Sequence, residues 1–436
     1  MTMAVDDHIK ASADPEAAAN RLEGMLEDAS LRERFDALSD DVRKDLIHLI
    51  SISRFLYHYI CRHPDSFDQF GCKPGLDKDK PMASPQDVQS LRLFKYNELL
   101  KITWLDITQS CDYEMILASL SRLAEYTVQS VLELVIEPEH REFLDHELCV
   151  FALGKLGAEE LNYSSDIDLI FVSANADESR YDIYDQQHIA NNTIRGFSRL
   201  LEDKDADGFL YRVDLKLRPW GGSGPLVMPI DETESYYEAS SDAWERFAWL
   251  RGRPIAGALP LGEDLKQRLQ PFIYKRSLST EDLERFVEIK NEMTRARKRK
   301  GRWNVKSGEG GIRDIEFFVQ MLQIVNASRH EELQTTNTLR VLAGLEKTGY
   351  VTTQEKEEVR NSYLFLRRLE NHLQMVDEQQ THELSDGHAQ RLFIARALRT
   401  AGESDDEILE NFENSLFASR SIARGYFERI LPGDES

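Results

Sequence analysis

Two aspartates with one residue between them, Asp166 and Asp168, lie inside an apolar run that has the composition of a buried strand. Side chains two residues apart on a strand point the same way, so both carboxylates share one face and Ile167 and Leu169 take the other. Carboxylates this close repel each other unless a cation lies between them. Because Mg²⁺ prefers oxygen ligands, the pair indicates a metal site. The structural alternative is that one aspartate caps a turn or pairs with an arginine.

Charged and apolar residues alternate in a second segment, "YRVDLKLRP". If this segment is one strand, then Arg212, Asp214, Lys216 and Arg218 share a face. A site that handles phosphate needs this mixture, with carboxylates to hold metal and cations to hold phosphate oxygens. Ion pairs between neighbouring strands would explain one or two of these charges, but not a whole charged face. We therefore predict Asp214 as a third metal ligand, and Lys216 and Arg218 as phosphate contacts.

A glycine turn, Gly154-Lys155, precedes the paired aspartates; it follows a predicted strand, "CVFAL", and opens a short predicted helix. Free backbone N–H groups at the start of a helix bind phosphate. The turn is not a Walker loop, because the Gly-Lys-Ser/Thr spacing is absent. We place Gly154, Lys155 and Ser165, which directly precedes Asp166, in the predicted nucleotide- and phosphate-binding set.

The elements that must position these residues divide the chain into three predicted regions. Residues 1–140 have the pattern of successive helices, 141–255 that of a mixed α/β catalytic core, and 256–436 that of a further helical domain. The predicted fold class is therefore α+β and predominantly helical. In the helical segment around "SYLFLRRLENHLQ", the apolar residues form one stripe, and we expect Arg367 and Glu370 to lie largely off it.

Composition and charge exclude several classes of protein. Of the 436 residues, 41% are hydrophobic and 30% are charged, which is typical of a soluble globular protein. The net charge of -23 disfavours nucleic acid as a partner. No apolar run reaches about 18 residues, so we expect no membrane span, and the acidic start is unlike a secretory signal. The four cysteines show no metal-binding spacing and suit free thiols, which predicts a cytoplasmic location.

Four segments together resemble one protein family: "GKLGAEELNYSSDIDLIF", "YRVDLKLRPWGGSGPLV", "KSGEGGIRDIEFFVQ" and "SYLFLRRLENHLQ". The glycine turn with its carboxylates is similar to nucleotidyltransferases of the DNA polymerase β type, and the longer segments resemble the bacterial glutamine synthetase adenylyltransferase/adenylyl-removing enzymes. The resemblance implies a nucleotidyltransferase core with a mixed sheet, flanked by an N-terminal helical region and a C-terminal helical bundle. It also implies two Mg²⁺ ions, both ligated by Asp166 and Asp168, and one of them also by Asp214.

The family is bifunctional, and the segments here resemble the N-terminal copy of its two tandem nucleotidyltransferase domains. The resemblance implies that this copy removes AMP from a tyrosine of glutamine synthetase by phosphorolysis, in the control of nitrogen assimilation, and that the products are ADP and unmodified tyrosine. We therefore expect the chain to be the N-terminal half of such an enzyme. The implied partners are glutamine synthetase, phosphate, ADP or ATP, a PII signal protein and the C-terminal adenylyltransferase half, without nucleic acid or membrane.

Two other functions are compatible with the same residues. An ATP-dependent adenylyltransferase that modifies a protein tyrosine would use the same carboxylates in the reverse direction. A non-catalytic regulatory or docking domain would keep the fold without the chemistry, but it could lose the three carboxylates freely, and their presence weighs against it.

A glycine-rich segment, "KSGEGGIRDIEF", follows a basic run at Arg295–Arg302. Its glycines allow a tight backbone turn, and the family resemblance favours a functional loop near the active cleft. The basic run is compatible both with a solvated helix end and with a contact to phosphate or to a partner.

Overall fold

The computed structural model describes residues 3–70, 85–275, 288 and 301–430. Within them helices predominate, and the strands form one mixed sheet and a separate strand pair, so the predicted α+β class is confirmed. Most of the basic run predicted at 295–302 lies outside the described residues, which resume at Gly301. In the part of the chain that is described, no helix is long and apolar enough to cross a membrane.

Helices precede the sheet. They are α1 (Met3–Lys10), α2 (Pro15–Leu26), α3 (Ala29–Ala37), α4 (Asp40–Ile52), α5 (Arg54–Arg62), α6 (Val88–Ile107), α7 (Tyr113–Val135) and α8 (Arg141–His146). Aspartates cap the free N–H groups at several of their starts. Asp14 accepts a hydrogen bond from the Ala17 amide at 3.0 Å, and Asp87 and Ser90 bond reciprocally before α6. These caps explain why the two helices begin where they do.

Five strands form the central sheet: β1 (Leu148–Ala152), β2 (Asp166–Ser173), β3 (Arg212–Asp214), β4 (Val227–Pro229) and β5 (Arg253–Gly257). Their order is β3-β2-β1-β5, and β4 also pairs with β2. β1 runs antiparallel to β2 and β5, whereas β2 runs parallel to β3 and β4. The short helix α9 (Gly154–Gly157) lies between β1 and β2, and α10 (Ile183–Glu202) makes the crossover that a parallel β2–β3 pair requires.

β3 is shorter than predicted, and the predicted charged face is wrong beyond Asp214. The strand ends there because a side-chain oxygen of Asp214 accepts a hydrogen bond from the Lys216 amide at 2.8 Å, which turns the chain. The Arg218 guanidinium then donates to the carbonyl oxygens of Leu215 at 2.6 Å and Gly224 at 3.1 Å. These bonds close a turn, so Lys216 and Arg218 do not continue the strand face that carries Asp214.

The two faces of the sheet pack against different helices. On one face, Val150 and Phe171 join the core that contains the N-terminal helices. On the other face, Phe151 and Val172 join a core that contains C-terminal helices, where Phe151 packs edge-on against Trp249 with 5.1 Å between the ring centroids. Alternate residues of β1 and β2 therefore serve opposite cores, as expected for strands that are buried on both faces.

Two helices, α11 (Ile230–Ala239) and α12 (Ala243–Trp249), lie between β4 and β5 in the chain. The C-terminal region follows β5, and its helices are α13 (Leu259–Arg268), α14 (Ile312–Asn326), α15 (Thr338–Lys347), α16 (Thr353–Met375), α17 (His388–Ala397) and α18 (Asp405–Glu428). Two short strands, β6 (Arg302–Asn304) and β7 (Glu383–Ser385), pair antiparallel. Arg367 and Glu370 of α16, which we expected largely off the apolar stripe, are fully buried. The domain boundaries at residues 140 and 255 stay predictions.

The close approach of backbone around α9 makes a testable requirement for glycine. A Cβ at Gly157 would lie 2.5 Å from the carbonyl oxygen of Ala152 and closer still to that of Arg251. Both are backbone atoms that cannot rotate away, so Gly157→Ala should lower the free energy of unfolding by about 1–3 kcal/mol. Gly222→Ala is the control, because a Cβ there meets nothing within 4 Å. Equal midpoints of thermal unfolding for the two variants would contradict the prediction.

Candidate active site

A cleft of about 800 Å³ lies between the sheet and the C-terminal region, beside the start of β2 and beside β3. Six predicted residues line one side of it, which we name the sheet wall: Gly154, Lys155, Ser165, Asp166, Asp168 and Asp214. The opposite side, the C-terminal wall, consists of Arg302, Asn304, Lys306, Arg313 and the segment from Gln380 to Glu383. The fold therefore brings together residues that are far apart in the chain, which is the geometric condition for a common chemistry.

The parallel pairing of β2 with β3 sets the positions of the carboxylates. Asp168 lies opposite Asp214, and Asp166 lies opposite Arg212. Since neighbouring strands are about 4.8 Å apart, the Asp168 and Asp214 side chains occupy adjacent positions at the cleft. Asp166 differs, because its Oδ1 accepts a hydrogen bond from Arg212 Nε at 2.6 Å. The pairing with an arginine that the sequence left open therefore occurs at Asp166.

Asp168 carries a charge that its surroundings only partly compensate. Burial raises the pKa of Asp168 to about 6, and the nearby carboxylates of Asp214 and Asp166 act in the same direction. The ammonium groups of Lys306 and Lys155 lower this pKa without cancelling the effect. At neutral pH the cleft thus holds an ionised carboxylate at a cost to the fold, and a bound cation would offset that cost.

The position of Asp168 requires a glycine at residue 154. Gly154 has a φ of +55°, and a Cβ there would overlap the Asp168 carboxylate. The Leu153 amide donates to the Asp168 carbonyl oxygen at 2.9 Å, which holds the turn beside β2. A side chain at residue 154 would therefore displace the carboxylate from the sheet wall.

Lys155, predicted as a phosphate contact, is paired with a residue that the sequence pattern did not single out. Its side chain is only 11% exposed, and its Nζ donates to Glu370 Oε2 at 2.8 Å. Burial lowers the pKa of Lys155 to about 7, while the Glu370 carboxylate opposes that shift. Glu370 also accepts a hydrogen bond from Asn162 Nδ2 at 2.7 Å. Lys155 therefore lines the cleft while its ammonium group is bound to the buried Glu370 of α16.

The other two cations predicted to bind phosphate do not line the cleft within the described residues. The Lys216 side chain is 81% exposed, and its Nζ lies 3.3 Å from Asp214 Oδ2. The Arg218 guanidinium is occupied by backbone carbonyl oxygens of its own turn. Ser165, in contrast, lines the cleft on the sheet wall, and its contact with phosphate stays a prediction.

The C-terminal wall carries cationic side chains that the sequence analysis did not assign to the site. Lys306 and Arg313 both line it, and both belong to the glycine-rich segment, so the structure places that segment at the cleft, while its functional role stays a prediction. We did not predict either side chain individually. The signal that could have found them is a lysine and an arginine on either side of Gly308, Gly310 and Gly311.

Some of the cleft carboxylates in the described part of the chain are placed to ligate a divalent cation. Among the described residues, no group of three or more His, Cys, Asp or Glu side chains is already arranged to hold a metal ion. Asp168 and Asp214 fit such an ion best, since they face each other across β2 and β3 and their charges repel. Asp166 would fit once its carboxylate exchanges Arg212 for the ion. Carboxylate oxygens are the ligands that Mg²⁺ prefers, so the donor set suits it.

A mixed sheet that holds carboxylates beside a glycine turn, within a largely helical chain, is of the nucleotidyltransferase type. A family model described as glutamate-ammonia ligase adenylyltransferase matches residues 43–268, more than half of the chain. The chain belongs to this family. A second model, described as GlnD PII-uridylyltransferase, matches residues 285–431.

Two relatives named bifunctional glutamine synthetase adenylyltransferase/adenylyl-removing enzyme are similar over most of the chain. The one from Thioalkalivibrio sulfidiphilus is 36% identical over 358 residues, which cover 79% of this chain and 36% of the relative. The one from Bradyrhizobium sp. is 33% identical over 463 aligned residues, which cover 98% of this chain and 46% of the relative. The chain thus spans less than half the length of these relatives.

The charge on Asp168 predicts how the metal-free protein responds to pH. Its folded-state pKa of about 6 lies above the ordinary value of 3.8, so the folded state binds the proton more tightly. Stability contributed by this group is therefore lost as the pH rises from about 4 to about 6, and stays lost above that. With EDTA at a pH of about 7.5, Asp168→Asn should raise the free energy of unfolding by on the order of 1–3 kcal/mol.

Thermal unfolding at a pH of about 7.5 and at about 4 measures this effect, and the difference should nearly vanish at the lower pH. Asp406→Asn, at an exposed position of α18, is the matched control and should change neither midpoint. A lower midpoint for Asp168→Asn than for the unchanged protein at the higher pH would refute the prediction.

Proposed function

We propose that this chain removes AMP from an adenylylated tyrosine of glutamine synthetase by phosphate-dependent phosphorolysis, releasing ADP and unmodified enzyme. The observation that carries the proposal is the cleft, with carboxylates on the sheet wall and lysine and arginine side chains on the C-terminal wall. The names of the relatives support glutamine synthetase as the protein substrate. The resemblance to the N-terminal nucleotidyltransferase copy supports removal as the direction of the reaction.

The reaction forms one bond and breaks one bond at the same phosphorus. An oxygen of inorganic phosphate attacks the phosphorus of the tyrosine-bound AMP, and the bond from that phosphorus to the tyrosine oxygen breaks. The phosphate becomes the β-phosphate of ADP, and the tyrosine oxygen takes up a proton. Because two anions must approach each other, positive charge near both phosphates lowers the barrier.

We propose Mg²⁺, as two ions, for the cofactor that supplies part of this charge when bound. Asp168 and Asp214 would hold the ions, and Asp166 would become a further ligand after its carboxylate leaves Arg212. The raised pKa of Asp168 supports this assignment, since burial and then the neighbouring carboxylates disfavour its charged form, which a bound cation would stabilise.

The remaining predicted residues take distinct roles in the proposal. Gly154 leaves room for the Asp168 carboxylate, and its turn borders the AMP phosphate together with Ser165. Lys155 positions the turn through its bond to the buried Glu370. Arg218 closes the turn after β3 and contacts backbone, so we assign it to the shape of that loop.

A second candidate function, ATP-dependent adenylyl transfer to a protein tyrosine, would use the same cleft in reverse. The relatives' names include adenylyltransferase activity, which favours keeping it as the alternative. A purely docking role gains no support from Asp168, because a non-catalytic fold has no use for a carboxylate held at a cost. We also propose that a PII signal protein regulates the chain, which the match over residues 285–431 supports. We further propose that the chain acts together with a C-terminal adenylyltransferase half and that it is located in the cytoplasm.

Incubation of the chain with adenylylated glutamine synthetase, Mg²⁺ and phosphate should release ADP. Asp214→Asn removes charge from the position opposite Asp168, so it should lower kcat by roughly 10²–10³. The exposed Asp406→Asn variant should behave like the unchanged chain. AMP transfer from ATP to unmodified glutamine synthetase, without ADP release, would support the alternative direction. Absence of both activities would leave the docking role.

Metal binding has its own readout that does not require turnover. Saturating Mg²⁺ should raise the midpoint of thermal unfolding of the unchanged chain relative to EDTA, because an ion that binds only the folded state stabilises it. The rise should be lost in Asp168→Asn and kept in Asp406→Asn. A full Mg²⁺-dependent rise in Asp168→Asn would show that the ion binds somewhere else.

A further inference from the structure

The proposed phosphorolysis needs a side chain that holds inorganic phosphate beside the AMP phosphorus. The cations predicted for this task from the sequence are already engaged: Lys155 Nζ donates to Glu370 at 2.8 Å, and Arg218 donates to backbone carbonyl oxygens. The Lys216 side chain is 81% exposed and lies beside Asp214. A phosphate ion therefore requires a different cation, one that faces the cleft.

Lys306 on the C-terminal wall meets this requirement. It is partly buried, and its ammonium makes no ion pair with any residue that the structure describes. Burial lowers the pKa of Lys306, and the charge of the nearby Arg313 acts in the same direction, while the carboxylates of Glu370, Glu316 and Asp168 oppose this shift. Lys306 and Arg313 are thus two neighbouring cations on this wall. Lys306 also lies near enough to Asp168 for its charge to lower the pKa of that carboxyl. An anion on Lys306 would thus lie close to the proposed metal ligands.

We infer that Lys306 binds the attacking inorganic phosphate, an inference that rests on the proposed phosphorolysis. The sheet wall then supplies the carboxylates that hold metal, and the C-terminal wall supplies the cation that holds the nucleophile. A lysine suits this task, because its ammonium is a compact charge with three donors that can follow a phosphate oxygen. Arg313, on the same wall, adds positive charge to the same position.

The backbone around Lys306 is held in place, which preorganises such a site. Asn304 Oδ1 accepts hydrogen bonds from the amides of Lys306 at 3.1 Å and Ser307 at 2.8 Å. The Lys306 carbonyl oxygen accepts from the Arg313 amide at 2.9 Å, which ties the turn to α14. Gly308 completes the turn, because a Cβ there would lie 2.6 Å from the Asn304 carbonyl oxygen. A fixed backbone reduces the entropy that is lost when the side chain orders on its ligand.

The test measures initial rates of ADP release from adenylylated glutamine synthetase at varied phosphate concentration. Lys306→Met keeps the apolar stem and removes the charge, so it should raise the KM for phosphate roughly tenfold or more. The KM for the protein substrate should change by less than about twofold, because that substrate makes other contacts. Lys306→Arg keeps the charge and should recover most of the phosphate affinity. Lys347→Ala, whose side chain is 70% exposed on α15, is the matched control and should leave both constants unchanged.

Calorimetric titration of the unchanged chain and of Lys306→Met with inorganic phosphate gives a second readout that does not need turnover. If the unchanged chain releases ADP and Lys306→Met has an unaltered KM for phosphate, the inference is wrong and the proposed function stands. If the unchanged chain releases no ADP, the proposed function fails, and only loss of phosphate binding in Lys306→Met would still support the site. If the unchanged chain neither turns over nor binds phosphate, both fail. Lys306→Gln replaces the methionine variant if that variant does not fold.

Discussion

The orientation of the C-terminal helices on the sheet depends on a carboxylate that is buried between them. Glu370 of α16 is fully buried, and its carboxylate lies 2.8 Å from Lys155 Nζ and 2.8 Å from His382 Nδ1. Burial alone would raise the pKa of Glu370, but Lys155 and then His382 hold it well below its usual range. A buried charge that loses its partners costs several kcal/mol. The residues around Glu370 therefore cannot separate without a large loss of stability.

Further buried contacts, made by Arg367 and by Glu160, strengthen the same junction. Arg367 is fully buried one turn before Glu370, and it donates to Asn162 Oδ1 at 2.6 Å. Glu160 accepts hydrogen bonds from the Tyr363 hydroxyl at 2.6 Å and from the Thr338 amide at 2.8 Å. The segment between α9 and β2 is thus tied to α15 and α16 by several charged contacts at once. Since β2 begins directly after that segment and β7 follows α16, these contacts also fix the distance between the sheet wall and the C-terminal wall.

The features that depend on neighbouring residues could be predicted from the sequence, and those that depend on distant ones could not. The alternation in β2 placed Asp166 and Asp168 on the cleft side, because strand periodicity is local. The length of β3 was missed, since charged and apolar residues also alternate in "DLKLR", where Arg218 closes a turn onto backbone. The burial of Glu370 could not be predicted from the sequence, for a different reason. Helical periodicity records only polarity, whereas its partner Asn162 lies 208 positions away in the chain.

The carboxylates do not by themselves decide the direction of the reaction, because AMP removal and AMP transfer develop similar charge at the same phosphorus. The two reactions differ in the group that faces the tyrosine across that phosphorus, which is free phosphate in removal and pyrophosphate in transfer. Free phosphate can be bound only through contacts to its own charged oxygens, because it carries no nucleoside that could add contacts. In a chain with a net charge of -23, such a dianion enters only where local cations outweigh the surrounding field. In the proposed removal reaction, phosphate binding would therefore depend on the C-terminal wall, which Lys306 and Arg313 both line.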